Sequence, residues 1–400
     1  MSAYAWHPVV RRALHPLCEH IPPTAVGIRG HLYDVDAFAS QHPGGRAWIE
    51  LCKGTDATTL FELMHLNSDR ADRHLAQLPR VGSYTPRHEW DFDSYRELKK
   101  LVCSRYPTMA SRRGTRGSAR AFALWCVAAM TAHGYLIFQR SFTFTWVMYL
   151  AFSTACNTVL GAYGHNYLHR LDARSMALDW NGLSAFEWTL EHVMSHHCYP
   201  NTLHDHDAIS MVPWVEWIDA RRSRTNATIF PLFFIGEIVV ALQGYIGHRC
   251  RWRPLLRPAF PMWMRVAPLL FLMRVASHLV IQGAFMGLVT LVCSLACASF
   301  YFSYLAHLNH APQARKTQDF LEYQLGCTSD LCTQPVINDI LLGLDRQTLH
   351  HLYPTLDHSV LNDSLRLLLM QNTLHDSLWQ KTFRELNDVM MQRLFDTSQS

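Results

Sequence analysis

Histidine is the residue through which this chain can do chemistry. Of 24 histidines in 400 residues, eight fall in short groups: His165 and His169 in GHNYLH, His192, His196 and His197 in EHVMSHHCYPN, His310 in HLNHAP, and His350 and His351 in QTLHHLYP. Residues three or four apart on a helix share a face, so such groups can present two imidazoles to one ion. Neutral imidazole suits iron, copper and zinc alike, and the spacing does not choose among them. Eight rings exceed the roughly four to six ligands of one first-row ion, so two metals fit better. The scattered His7, His15, His88, His133 and His375 read as ordinary core or surface residues.

A second pair of histidines stands apart, in the stretch from Thr24 to Pro86. His42 opens an HPGG turn, and His65 follows 23 residues later, after a segment that reads as helix, turn, helix. Pro43 fixes the turn, and Gly44 and Gly45 let the backbone pass close to a flat ligand. Leu32, Tyr33, Val35, Phe38, Trp48, Ile49, Leu51, Leu60, Phe61 and Leu63 can line an apolar slot around them. Two histidines facing each other across such a slot would fill both axial positions of a haem iron, which leaves electron transfer as its task. LYDVDAF before the turn, GTDATTLFELMH after it and the closing LPRVGSY extend the pattern, and together they resemble the cytochrome b5 fold. The resemblance implies His42 and His65 as the axial pair of a haem b, with Met64 as packing. A one-electron carrier on the same chain makes sense if the other site consumes electrons, which disfavours zinc and favours iron, with oxygen as the acceptor.

The elements that must position these groups are unevenly composed. The average is ordinary, 49% hydrophobic, 17% charged and net charge +4, but apolar residues concentrate between about 120 and 306. Abundant Trp, Tyr and Phe suit a chain that meets a membrane interface repeatedly. The eleven cysteines form no CxxC pair, and Cys126, Cys156, Cys293 and Cys297 lie inside apolar runs, where a thiol acts as a small hydrophobe. Reduced, structural cysteines suit soluble parts that face the cytosol. Residues 1–23 have no continuous apolar core and read as a tail rather than a cleaved signal peptide.

Residues 87–119 form a basic linker. Arg105, Arg112, Arg113 and Arg116 in it, and Arg120 at the first apolar run, mark the cytosolic side and can meet anionic headgroups. No nucleic-acid-binding module is recognisable, so nucleic acid is an unsuitable partner. Runs 120–139 and 142–163 are each long enough, at about 1.5 Å per residue, to cross a hydrocarbon core of about 30 Å. Joined by a tight turn, they make a hairpin that returns His165 and His169 to the side of the haem domain. Three apolar runs follow, 229–246, 266–282 and 284–306. For His310 to join His192, His196 and His197 on one side, the crossings between them must be even. The first run carries Glu237 and basic flanks (Arg221–Arg224 and His248–Arg253), so it is expected to lie in the interface, with the other two spanning. From Ser359 to Phe395 a Leu and Met stripe at helical spacing reads as a packing face.

The expected architecture is therefore a small α+β haem domain (24–86), the linker (87–119) and an all-α polytopic membrane domain (120–395). That domain would hold four transmembrane helices, interfacial helices and a cytosolic histidine-rich cap. HNYLH, HVMSHH with its trailing YPN, and QTLHH with LYP resemble the three histidine boxes of membrane fatty-acyl desaturases. The N-terminal cytochrome b5 domain and Gln347 at the head of the last box resemble the front-end type, and LNH at 308–310 resembles that group's NH element. The subgroup most resembled is the cytochrome b5-related proteins. The resemblance implies a diiron centre held by His165, His169, His192, His196, His197, His310, Gln347, His350 and His351. It also implies electrons from NADH through a cytochrome b5 reductase, an acyl-CoA or acyl-lipid substrate, O2, and an endoplasmic reticulum membrane with both termini cytosolic.

Glu191, Asp205, Asp207, Asp345 and Asp357 are candidates to accept the second ring N–H of a ligand and fix its tautomer. Two features depart from the family pattern. Three residues separate His192 from His196 where the commoner front-end form has two, and His204 and His206 follow in TLHDHDAI as substitute ligands or exposed residues. These features put regiochemistry and competence in question more than fold. The competing functions are a lipid hydroxylase on the same scaffold and an inactive haem-binding electron carrier or lipid-binding protein.

Overall fold

The structure is a computed structural model describing residues 21–86, 89–209, 238, 258–310, 317–332, 342–373 and 380–395. The tail up to residue 20 and, apart from Ile238, the run 229–246 with its basic flanks lie outside the described residues.

Three strands, β1 (Ala25–Ile28), β2 (His31–Asp34) and β3 (Arg80–Ser83), form an antiparallel sheet in the order β1-β2-β3. Arg29 and Gly30 turn the first hairpin with φ of 51° and 79°, the left-handed pair that a two-residue hairpin loop requires. Helices α1 (Asp36–Ala39), α2 (Arg46–Cys52), α3 (Thr58–Met64) and α4 (Ser68–Leu75) follow β2. His42 lies in the turn before α2, and His65 caps the C-terminus of α3. The helices that position His42 and His65 follow one another within one short stretch of sequence.

Helix α5 (Asp93–Arg105) joins the haem domain to the rest. It buries Tyr95, Leu98, Lys99 and Val102, the i, i+3, i+4, i+7 pattern of one helix face. Tyr95 Oη donates to the carbonyl of Leu352 at 2.5 Å. One continuous apolar core runs from Leu51, Leu63 and Leu98 to Leu190, Val193, Leu349 and Leu352. The haem domain is thus packed onto the cap rather than tethered beside it.

Helices α6 (Arg116–Ile137) and α7 (Phe144–Leu168) form the first hairpin, started by Thr115 and Thr143, whose side chains accept from Ser118 and Trp146 amides. Both helices extend beyond the apolar runs. Nothing in HNYLH breaks a helix, so α7 continues through His165, and its second half is buried from Asn157 to Leu168. Helix α8 (Met262–Gln282) and helix α9 (Ala284–Asn309) form the second hairpin. Among the described residues these last two are the helices long and apolar enough to cross a membrane. The α6–α7 hairpin nevertheless carries an exposed apolar surface that includes Leu124, Val127, Phe138, Phe144 and Phe152, matched on α8–α9 by Val280, Phe285 and Leu288.

Short helices close the cap: α10 (Phe320–Cys327), α11 (Gln347–Leu352), α12 (Asp363–Thr373) and α13 (Phe383–Phe395). Leu365 and Leu369 on α12 and Leu386 and Met390 on α13 are buried, so the stripe is a packing face over its described part.

Candidate haem and metal site

His42 and His65 face each other with ring centroids 6.1 Å apart and planes at 77°. An ion bonded at about 2 Å to the inner nitrogen of each ring requires a separation of this size. The outer nitrogens are already committed: His42 Nδ1 donates to the Gly45 carbonyl at 3.1 Å and His65 Nδ1 to the Phe61 carbonyl at 2.8 Å. Since a carbonyl can only accept, each Nδ1 carries the proton and each Nε2 keeps its lone pair. Burial lowers both pKa values, that of His65 to about 4, so both rings are neutral ligands at pH 7. Between and around them lies a cavity of about 550 Å³ lined by Val35, Phe38, Trp48, Leu60 and Phe61 among others. The residues fit a haem.

The eight histidines of the short groups, drawn from four separated segments, meet near the C-terminal ends of α7 and α9. His165, His169, His192, His197 and His350 form one buried group, and His196, His310 and His351 a second, each with ligand atoms within 4.8 Å of one another. Gln347 joins the second group, its Nε2 lying 3.0 Å from His310 Nε2. His192 Nε2 lies 2.7 Å from His165 Nε2 and 3.1 Å from His197 Nε2.

The proton positions make these approaches informative. His192 Nδ1 donates to Asp207 at 2.5 Å, and His196 Nδ1 to Asp205 at 2.9 Å. His310 Nδ1 donates to the Cys327 carbonyl at 3.1 Å. In their neutral forms His196 and His310 each carry a lone pair on Nε2, and these atoms face each other at 3.2 Å. Two lone pairs at that distance repel unless a proton or a metal ion lies between them; nitrogens bound to one ion at about 2.1 Å can stand about 3 Å apart. Burial depresses His197, His350 and His351 well below the ordinary imidazole pKa, keeping them neutral. Burial also lowers His196, but the Asp205 carboxylate outweighs it and the net shift is upward. His350 Nε2, His351 Nε2 and Gln347 Oε1 are buried without a hydrogen-bond partner among the described residues. The donor set fits metal ions.

The three-residue gap between His192 and His196 has a physical resolution. Thr189–His196 is a π-helix, with the His197 amide donating to the His192 carbonyl at 3.0 Å. The wider π turn carries i, i+4 and i+5 on one face, so His192, His196 and His197 converge despite the extra residue. His204 and His206 belong to neither group.

Of the five candidate carboxylates, Asp205 and Asp207 take the ring-orienting role. Asp357 instead accepts from Asn166 Nδ2 at 3.0 Å and Arg170 Nη2 at 3.1 Å, bracing the first box from its flanks.

Sequence reasoning missed Gln324, whose Nε2 donates to the His197 carbonyl at 2.8 Å and whose Oε1 accepts from His351 Nδ1 at 3.3 Å. It missed Arg274 on α8, fully buried and donating to the Trp180 carbonyl at 3.1 Å and Ser294 Oγ at 2.7 Å. His133, read as an ordinary residue, is buried against this group, 2.9 Å from Ser277 Oγ. The haem cavity is also walled in part by His169, Arg170 and Thr355. His169 therefore belongs both to the cavity wall and to the five-histidine group.

A haem slot packed against a histidine-rich cap on apolar hairpins defines the class of haem-fused membrane oxidoreductases. The family comparisons agree. Residues 22–85 match the cytochrome b5-like haem/steroid binding domain, and residues 141–376 match the fatty acid desaturase family. The chain belongs to the fatty acid desaturase family and carries a cytochrome b5 domain ahead of the desaturase domain. It is 26% identical over 359 residues to the cytochrome b5-related protein of Drosophila melanogaster, covering 84% of this chain and 79% of that one. It is 23% identical over 377 residues to an acyl-lipid (7-3)-desaturase of Rebecca salina, covering 82% and 79%. With the fatty acid desaturase 2-like protein FADS2B of Mus musculus it shares 24% identity over 373 residues, 81% and 72% of the two chains.

Proposed function

We propose that the chain is a membrane-bound acyl desaturase that draws electrons through its own haem domain. In this reading His42 and His65 hold a haem b. His165, His169, His192, His197 and His350 hold one iron, and His196, His310, His351 and Gln347 a second. The observation that carries the proposal is the set of facing Nε2 lone pairs, fixed by Asp205, Asp207 and the Cys327 carbonyl, beside a haem cavity that shares His169 as wall.

With both irons bound, the centre supplies the oxidising power to take two hydrogens from adjacent methylenes of an unactivated acyl chain, O2 being reduced to water with two further electrons and two protons. The protein's own residues do the rest. Asp205 and Asp207 hold protons on His196 and His192 Nδ1, so the inward nitrogens stay basic and oriented. Gln324 aligns His351, and the apolar packing of Leu349, Leu352 and Leu190 around the boxes keeps water out.

All four long helices, α6 to α9, are read as spanning. Their exposed apolar faces support this, and so do the 22 and 25 residues of α6 and α7. The basic linker lies on the cytosolic side of the endoplasmic reticulum membrane, where a cytochrome b5 reductase supplies electrons from NADH. The substrate is a fatty acyl-CoA or acyl lipid.

The test is spectroscopic and elemental on the purified full chain. A low-spin haem spectrum and about two non-haem irons per chain are expected. His42→Ala should remove the haem signal and leave the irons, and His350→Ala with His351→Ala should do the reverse. One loss accompanying the other in both variants, or zinc in place of iron, would overturn the proposal.

A further inference from the structure

The wall of the haem cavity has a charge that the haem domain does not explain. Among its described lining residues are four arginines, Arg70, Arg112, Arg113 and Arg170, and no Asp or Glu. Three of the four come from outside the cytochrome b5 match: Arg112 and Arg113 from the linker, Arg170 from the residue directly after His169. An apolar slot gains nothing from guanidinium groups at its edge unless its occupant is anionic there.

The bonding of the three is uneven. Arg112 donates to the Tyr106 carbonyl at 2.8 Å and to Cys103 Sγ at 3.3 Å, neither of which carries negative charge. Arg170 pairs with Asp357 at 3.1 Å. Arg113 is exposed and makes no hydrogen bond or ion pair among the described residues. Three guanidiniums against one carboxylate leave an excess of two positive charges. A haem b brings two propionate carboxylates, and guanidinium is the side chain best shaped to bind a carboxylate with two parallel hydrogen bonds.

We infer that Arg113, Arg112 and Arg170 form a clamp for the haem propionates, built by the linker and the desaturase domain rather than by the haem domain. This rests on the reading that His42 and His65 hold haem. The clamp makes the haem itself a staple across the domain junction: its ring lies in the slot of one domain and its carboxylates are bonded by the other. It also turns the carboxylate edge toward the segment that carries His169. Haem retention and potential then depend on residues that no isolated cytochrome b5 domain contains.

The experiment uses the full chain in nanodiscs, reconstituted either with haem b or with its dimethyl ester, which lacks both charges. Haem transfer to excess apomyoglobin and the haem midpoint potential are measured for the wild type, Arg113→Gln, Arg113→Glu and Arg170→Gln. Haem b should leave Arg113→Gln about tenfold faster than wild type, the worth of one charge-assisted hydrogen bond, and faster again from Arg113→Glu. The midpoint potential should fall in the same order, because a propionate stripped of its cation stabilises the ferric state. The dimethyl ester should leave wild type and Arg113→Gln at the same rate. Because Arg170 also holds Asp357, Arg113 decides the matter. Unchanged loss and potential in both Arg113 variants, with the haem spectrum intact, would overturn the clamp while leaving the haem reading standing. Equal acceleration for haem b and its ester would overturn it too, as simple loosening of the fold. A wild-type chain that takes up no haem would overturn both.

Discussion

Glu62 offers the sharpest energetic test of how the haem domain is held. It is buried on α3, three residues before His65, and is surrounded by three cations. Arg29 Nε donates to it at 3.0 Å and Arg96 Nε at 3.1 Å, while Lys99 Nζ lies 3.2 Å from Oε2. Arg29 belongs to the β1–β2 turn, whereas Arg96 and Lys99 belong to α5, so the carboxylate ties the haem domain to the connector. Burial alone would raise the carboxyl pKa, but Arg96, Lys99 and Arg29 overcome it and bring the value from 4.5 to about 2. That difference corresponds to about 3 kcal/mol of stability at neutral pH. The sign follows from the depressed folded value: the contribution is complete above pH 4.5 and is lost as the pH falls from there toward 2.

Glu62→Gln removes the charge at nearly constant shape and leaves Lys99, itself fully buried and already lowered to about 8 mainly by burial, beside two guanidiniums. Thermal unfolding of the haem domain, followed at the Soret band at pH 7, should then shift down by at least about 10 °C. The gap between wild type and variant should narrow below pH 4.5. Lys99→Met should be milder, since Glu62 keeps both arginines. An unchanged midpoint in Glu62→Gln, or a larger loss in Lys99→Met, would refute the reasoning.

Other consequences are equally direct. Asp205→Asn and Asp207→Asn should each weaken iron retention about 10- to 100-fold, measured by chelator competition, because His196 and His192 lose the acceptor that fixes their tautomers. Gly114 sits at φ +86°, and a Cβ there would come 2.5 Å from Asp357 Cγ. Gly114→Ala should therefore cost about 1–3 kcal/mol of stability, and should lower iron content by displacing the brace on Asn166 and Arg170. Gln324→Leu should reduce iron content with little change in the haem spectrum, since it touches His197 and His351 but not the haem slot.

Much of this was legible because the signals were local. HPGG and the helical run to His65 define the haem-ligand pair within one short stretch, and HNYLH sets a ring pair by helix periodicity alone. The meeting of the four histidine segments is written in no local pattern; its expectation rests on reading the apolar runs as hairpins that return to one side. What stayed hidden depends on tertiary contact. Nothing around Gln324 distinguishes it from a surface glutamine, and Arg274 looks like an interruption of an apolar run rather than its buried centre. The extra residue between His192 and His196 reads as a defect in α-helical register and becomes sound only once the segment is seen to be a π-helix. Arg112 and Arg113 read as a solvated basic linker because the cavity they border closes only when distant segments pack.

The fatty acid profile of a host producing the wild-type chain, compared with one producing the His350→Ala, His351→Ala variant, bears most directly on the central claim. The wild type should add an unsaturated acyl species with one more double bond than the host makes, and the variant should not. Identical profiles, or a hydroxylated product in place of the new double bond, would contradict it.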